Sequence, residues 1–155
     1  MAANFDYSTY SKYYVTCKFW VELQGILQAS FTECSGLEVS TEVFSYAEGG
    51  LNGYTHKLPA RSTVGNITLK RGVVLDDRLW LWYSDVLEGK ITRNTLTIRL
   101  FDDTVESQRA PAISWQLENA IPVKWTGPAL RGGDSSIAVD MIEFACGAFK
   151  RITRG

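Results

Sequence analysis

The sequence predicts a mainly β fold, an antiparallel barrel or sandwich with one flanking helix. Three observations carry that expectation. Most of the chain alternates apolar and polar residues with a period of two. Only the segment around residues 76–89 repeats its apolar residues with a helical period. Clusters of Gly, Pro, Asn and Ser punctuate the alternating stretches at short intervals, the pattern of strands joined by turns. The 155 residues suffice for one domain with its own core, and no repeat, low-complexity tract or linker divides them.

From Tyr14 to Gly25, Val15, Cys17, Phe19, Val21 and Leu23 take one face of a strand, and Thr16, Lys18, Trp20, Glu22 and Gln24 the other. Gly25 permits a turn, and Ala29 to Cys34 reads as a returning strand closed by Ser35-Gly36. Leu37 to Tyr46 is a clean amphipathic strand: Leu37, Val39 and Val43 share one parity, while Glu38, Ser40 and Glu42 share the other. Three glycines and a proline break regularity between Ala47 and Ser62, so a long loop is expected at about 46–62. Asn66 to Gly72 resumes a strand, with Ile67 and Leu69 opposite Thr68 and Lys70.

Leu79, Trp82, Tyr83, Val86 and Leu87 follow the spacing of an amphipathic helix over Asp76–Gly89, with an Asp near its start and Gly89 as its stop. Trp80 and Leu81 lie off that stripe, which leaves more apolar surface than one core contact requires. Asn94 to Phe101 alternates again, with Leu96, Ile98 and Leu100 opposite Thr95, Thr97 and Arg99. A polar turn spans Asp102 to Pro111. Two short strands, Ile113–Glu118 and Ala120–Trp125, are expected to bend at Asn119 and Pro122. A Gly/Pro/Ser loop follows from Thr126 to Ser136, then a last strand, Ile137–Cys146, and a basic end, Lys150–Gly155.

Composition excludes several function classes. Sixteen basic against seventeen acidic residues leave a net charge of −1, which argues against a broad basic face for nucleic acid. No apolar run is long enough to span a membrane, and Met1 to Lys12 lacks the apolar stretch of a signal peptide. A cytoplasmic location without Sec-type export is therefore expected. Three cysteines (Cys17, Cys34, Cys146), odd in number and without CxxC spacing, suit free thiols.

Chemical motifs are sparse. The lone histidine, His56, has no Ser, Cys or metal-ligand partner at motif spacing. Glu48-Gly49-Gly50-Leu51-Asn52-Gly53 has the glycines of a phosphate loop but no Lys-Ser/Thr after them, so turn geometry or close backbone approach is the simpler reading. Asp76-Asp77 and Asp102-Asp103 lack the spacing of a calcium loop. No catalytic residue, cofactor or metal is expected. The polar strand faces have two readings, the wet side of an ordinary sheet or a channel wall shared by several subunits. Open sheet edges, the Gly-rich loop and the surplus aromatic surface favour self-association.

Several stretches together resemble the inner tube proteins of contractile injection systems and contractile phage tails. They are Phe19-Trp-Val-Glu-Leu-Gln-Gly25, Ala29-Ser-Phe-Thr-Glu-Cys-Ser-Gly-Leu-Glu38, Tyr46, Glu48-Gly49-Gly50, Asn52, His56-Lys-Leu-Pro59 with Arg61, and Asn66-Ile-Thr-Leu-Lys-Arg-Gly72. Trp115, Leu117, Asn119-Ala120, Pro122, Lys124-Trp125, Gly127-Pro128, Leu130, Ala138-Val-Asp and Ile142-Glu143 continue it in order, and the chain departs at Cys146-Gly147-Ala148.

The resemblance implies a structural subunit that forms homo-hexameric rings stacked into a hollow tube inside a contractile sheath. Baseplate and tube-cap proteins would be further partners, and cargo would pass through the lumen. It implies an inter-subunit loop with Tyr46, Glu48, Gly49, Gly50, Asn52, His56, Lys57 and Arg61. Glu38, Ser40, Glu42, Lys70, Thr97 and Arg99 become lumen candidates, and Leu79, Trp80, Trp82 and Tyr83 a packing or interface helix. The alternatives are a tube-initiating paralogue at the baseplate and, in a different class, a small ligand-binding barrel or hydrolase using Cys34 or His56.

Overall fold

The alternation read from sequence becomes a sheet wherever both parities have something to face. A computed structural model describes residues 19–24, 26–28, 31–50, 53–73, 78–101, 111, 113–133 and 135–153. In chain order the elements are β1 (Phe19–Leu23), β2 (Ile26–Gln28), β3 (Glu33–Ser35), β4 (Val39–Tyr46), β5 (His56–Val64), β6 (Ile67–Gly72), α1 (Arg78–Leu87), β7 (Asn94–Leu100), β8 (Ile113–Thr126), β9 (Val139–Ala145) and β10 (Ala148–Thr153). Eight strands form one antiparallel sheet in the order β2-β1-β7-β8-β9-β6-β3, with β10 also paired to β8. β4 and β5 form a separate two-stranded hairpin.

The long strand β8 organises the sheet. Its first half lies between β7 and β10, and its second half pairs with β9. β9 and β10 run on from each other along β8, from Thr126↔Met141 to Ile113↔Thr153, interrupted at Cys146-Gly147. Both partners bend at that level. Asn119 has φ 56°, and the Gly147 N–H donates to the Glu118 carbonyl at 3.0 Å. The two short strands expected here are thus one bent strand, and Pro122 sits at its register shift, where a sheet tolerates proline.

The bend folds the apolar faces of the two halves together. One half contributes Val21, Leu96, Ile98 and Leu117, the other Ile67, Leu69, Ile142 and Phe144, all nearly inaccessible. α1 covers the second half: Leu79 and Trp82 enter the core, and the Trp82 ring lies 5.4 Å from that of Phe144. Trp82 Nε1 donates to the Thr92 carbonyl at 2.9 Å, which satisfies its polar atom as burial demands. Gly89 adopts φ 85° just past the helix, as expected of its stop.

Other expectations need correction. The 46–62 segment is not a loop throughout: β5 occupies its second half, because a free-standing hairpin presents an edge on which Pro59 costs no interior ladder bond. The Leu37/Val39/Val43 parity is real, yet β4 is exposed along its whole length since no second layer covers it. Of the returning strand expected over Ala29–Cys34, residues 29–30 lie outside the described residues and only the end is strand, as β3, while the strand that returns along β1 is the earlier β2. The basic end is partly strand, β10. Leu87 is exposed rather than part of the core stripe. Residues 14–18, Gly25, Asn52, Asp76, Asp77 and 102–110 lie outside the described residues.

Phe144→Ala should cost about 3–5 kcal/mol in urea denaturation of the protomer, by lost transfer energy and the cavity left behind. Phe44→Ala, on the exposed hairpin, should change it by no more than about 0.5 kcal/mol.

Candidate functional site

The outward face of β1, β7, β8 and β10 is mainly hydrophilic: the parity opposite the core is polar along β7 and β8, and mixed on β1 and β10, which add Trp20, Ala148 and Ile152. Register places Trp20, Arg99, Ser114 and Ile152 in one row and Glu22, Thr97, Gln116 and Lys150 in the next, followed by Glu118 and Ala148. Arg99 Nη2 lies 2.6 Å from Glu22 Oε2, and the Glu22 side chain is only 13% exposed. Lys150 pairs with Glu118, so the four charges cancel in pairs. Arg99 Nε is buried without an acceptor among the described residues. Trp20 packs edge-on to Phe101, with ring centroids 6.3 Å apart. Among the described residues no further strand continues the sheet beyond β2 or beyond β10, and residues 150–153 are exposed.

The β4–β5 hairpin is a second surface. Its root is fixed by backbone: Gly36 has φ 85°, a Cβ there would collide with the Asn66 carbonyl oxygen, and the Gly65 N–H donates to the Glu38 carbonyl at 3.0 Å. Hydroxyl pairs Ser40–Thr63 (3.0 Å) and Thr41–Ser62 (2.8 Å) link the strands. A register shift between Thr41 and Val43 sets Glu42 opposite the two residues Ala60 and Arg61. One face carries Val39, Thr41, Val43 and Ser45 with Val64, Ser62, Pro59 and Lys57; the other carries Ser40, Phe44 and Tyr46 with Thr63, Leu58 and His56. Near the tip His56 Nε2 lies 3.4 Å from Glu48 Oε2, and the Tyr54 ring stands edge-on to it at 4.9 Å. Nothing within 4 Å would meet a Cβ at Gly49, Gly50 or Gly53.

The profile of the T4-like virus tail tube protein gp19 family matches residues 15–150. The chain belongs to that tail tube family. It is a structural subunit of a tube. No curated protein sequence matches it. Among solved structures, it is similar to a chain of the anti-feeding prophage tube-terminating cap, at TM-score 0.84 and 24% identity over 99% of this chain and 100% of that one. A chain of the PVC extracellular contractile injection system sheath-tube complex gives 0.81 and 24% over 93% and 94%. One from the anti-feeding prophage baseplate gives 0.79 and 26% over 92% and 97%.

In this tube protein the residues singled out from sequence fall on four surfaces. Thr97 and Arg99 lie on the hydrophilic face of the sheet. Lys70 lies on the other half, 2.9 Å from Glu33. Ser40 and Glu42 are on the hairpin with Tyr46, His56, Lys57 and Arg61, Glu38 is at its root, and Glu48, Gly49 and Gly50 form its tip. On the helix, Leu79 and Trp82 are core, Tyr83 is half-buried, and Trp80 packs on Trp125 at 4.7 Å. Sequence reasoning missed Glu22, Gln116, Glu118 and Lys150. Strand parity already put Glu22 outward; Lys150 needed β10 to be recognised as a strand.

Cys34 lines an apolar cavity of about 290 Å³ with Phe19, Leu37, Ile98, Leu100 and Trp115. Burial, with Glu33 adding to it, pushes its thiol from 9.0 up to about 12. A thiol held protonated is a poor nucleophile, and His56 stands on the hairpin, on a different element. The described residues hold no group of three metal-ligating side chains. The raised folded-state value makes the Cys34 contribution complete below about pH 9, where both states keep the proton. It is lost as pH rises from 9 towards 12, because the unfolded chain ionises first and binds fewer protons. Denaturation midpoints should therefore fall across pH 9–12 in the wild type and fall less in Cys34→Ala.

Proposed function

We propose that this tube subunit closes into six-membered rings, that the rings stack, and that the Glu22/Thr97/Arg99/Gln116/Lys150 face lines the lumen. The observation that carries the reading is a sheet with one polar face and an unextended strand at each end. Copies joined β10 to β2 would turn that open sheet into a closed barrel and remove its edges. The six-fold symmetry named for the anti-feeding prophage baseplate, whose chain is similar over most of this one, supports the ring. Paired charges offer a passing cargo little net attraction.

The β4–β5 hairpin serves as the arm that reaches a neighbouring copy. Its main contacts are between its own strands, and an isolated two-stranded hairpin is marginal in water, so the arm depends on a partner for its stability. Glycines without intrachain crowding at its tip allow backbone to approach backbone. Sheath, baseplate and cap proteins are the remaining partners, and the subunit itself does no chemistry. A second reading, a tube-like protein at the cap or baseplate, draws on similarities of equal strength to chains from those complexes.

Electron microscopy of the purified protein should show rings or stacked tubes; a persistent monomer at high concentration would overturn the ring. Long homopolymers favour the main tube, isolated rings the terminal paralogue. Deleting residues 49–53 should abolish stacking while the circular dichroism of the protomer stays native. Normal tubes from that deletion would remove the arm from the assembly.

A further inference from the structure

α1 buries one stripe and leaves the other without cover. Around Ser84, the neighbours at three and four residues on either side are Trp80, Leu81, Leu87 and Glu88. Leu81 is 59% and Leu87 65% exposed, and Trp80 is held against Trp125 with its outer side open. Four larger side chains around one small residue make a socket of the kind that receives a knob from a second element. Its rim is acidic: Asp85 and Glu88 both pair with Lys90, at 3.7 and 2.9 Å, two acids to one base among these three groups.

Resting on the tube reading, we propose that this socket is occupied by the β4–β5 hairpin of a second copy, through the face bearing Val43, Pro59 and Lys57. Charge selects the occupant and the face. Val43 and Pro59 stand directly opposite each other and are exposed, and Lys57 follows two pairs further towards the tip on the same face, opposite Ser45. Lys57 has no charged partner among the described residues, and this face carries no acid. On the other parity lie Glu42, with Arg61 opposite it, and, beyond Tyr46, Glu48 beside His56, so that face offers Asp85 and Glu88 no cation without an acid next to it. Val43 and Pro59 fill the notch over Ser84 against Trp80, Leu81 and Leu87, and Lys57 meets Glu88. The contact joins two different patches, so it propagates from copy to copy instead of closing a dimer.

The test uses the full chain, with assembly followed by sedimentation and electron microscopy. Lys57→Glu and Glu88→Lys should each raise the concentration needed for stacking about tenfold, and the double reversal should restore it. Glu42→Lys should leave stacking unchanged. With Cys17, Cys34 and Cys146 replaced by Ala, the pair Pro59→Cys and Ser84→Cys should give an oxidised ladder beyond dimer, and neither cysteine alone should. Tubes that form without a ladder, or without rescue, overturn the socket and leave the tube reading intact. A strong effect of Glu42→Lys beside a neutral Lys57→Glu overturns the chosen face. A wild-type chain that forms no rings or stacks overturns both.

Discussion

Residues 113–126 and 139–153 run side by side as one antiparallel ladder that bends at Asn119 on one partner and at Cys146-Gly147 on the other. A flat ladder would leave one broad sheet with an uncovered apolar face. The coincident bend turns the sheet on itself, so that Leu117 and Ile98 meet Phe144 and Ile67 in one core. The sharp local geometry has its own supports: the Gly147 N–H holds the Glu118 carbonyl, and asparagine accepts positive φ at lower cost than most side chains. α1 then needs only to close the second half, which Leu79 and Trp82 do.

The same bend separates surfaces by function. With both inner faces committed to the core, the outer face of β1, β7, β8 and β10 is free to be polar through its centre, with Trp20 and Ile152 at its two sides. Its charges come as pairs, Glu22–Arg99 and Glu118–Lys150, instead of as a field of one sign. A single-sign wall would hold any oppositely charged cargo along its length. Under the proposed lumen assignment, a wall of paired charges serves transit better than retention.

Much of this was legible in the sequence where one parity faces a core. Ile67/Leu69, Leu96/Ile98/Leu100 and Leu79/Trp82 are buried as the alternation and the helical period require. Legibility failed where no second layer exists. Val39 and Val43 mark a real strand face, but periodicity says nothing about which molecule covers it. Pro59 and the tip glycines hid β5, since breakers in an edge strand resemble breakers in a loop. Lys150-Arg151-Ile152-Thr153 alternates too briefly and too basically to announce a strand; only its ladder to β8 reveals one. The outward face was half seen, through Thr97 and Arg99, because grouping residues from four strands onto one surface requires register, which a single sequence does not contain.

Those failures share a physical cause. An edge strand, a bare hairpin and a helix with two apolar stripes are each incomplete within one chain, and each departs from the pattern that burial imposes on a self-sufficient domain. β10 is exposed from Lys150 to Thr153, β4 along its whole length, and α1 over Leu81 and Leu87. For a monomer, such edges and patches would be an aggregation hazard. In the ring and stack proposed above, they are the surfaces that meet identical copies. Within one chain the buried contacts lie in the bent ladder, its core and the inner stripe of α1, while the hairpin, the β10 edge and the outer side of α1 are left exposed.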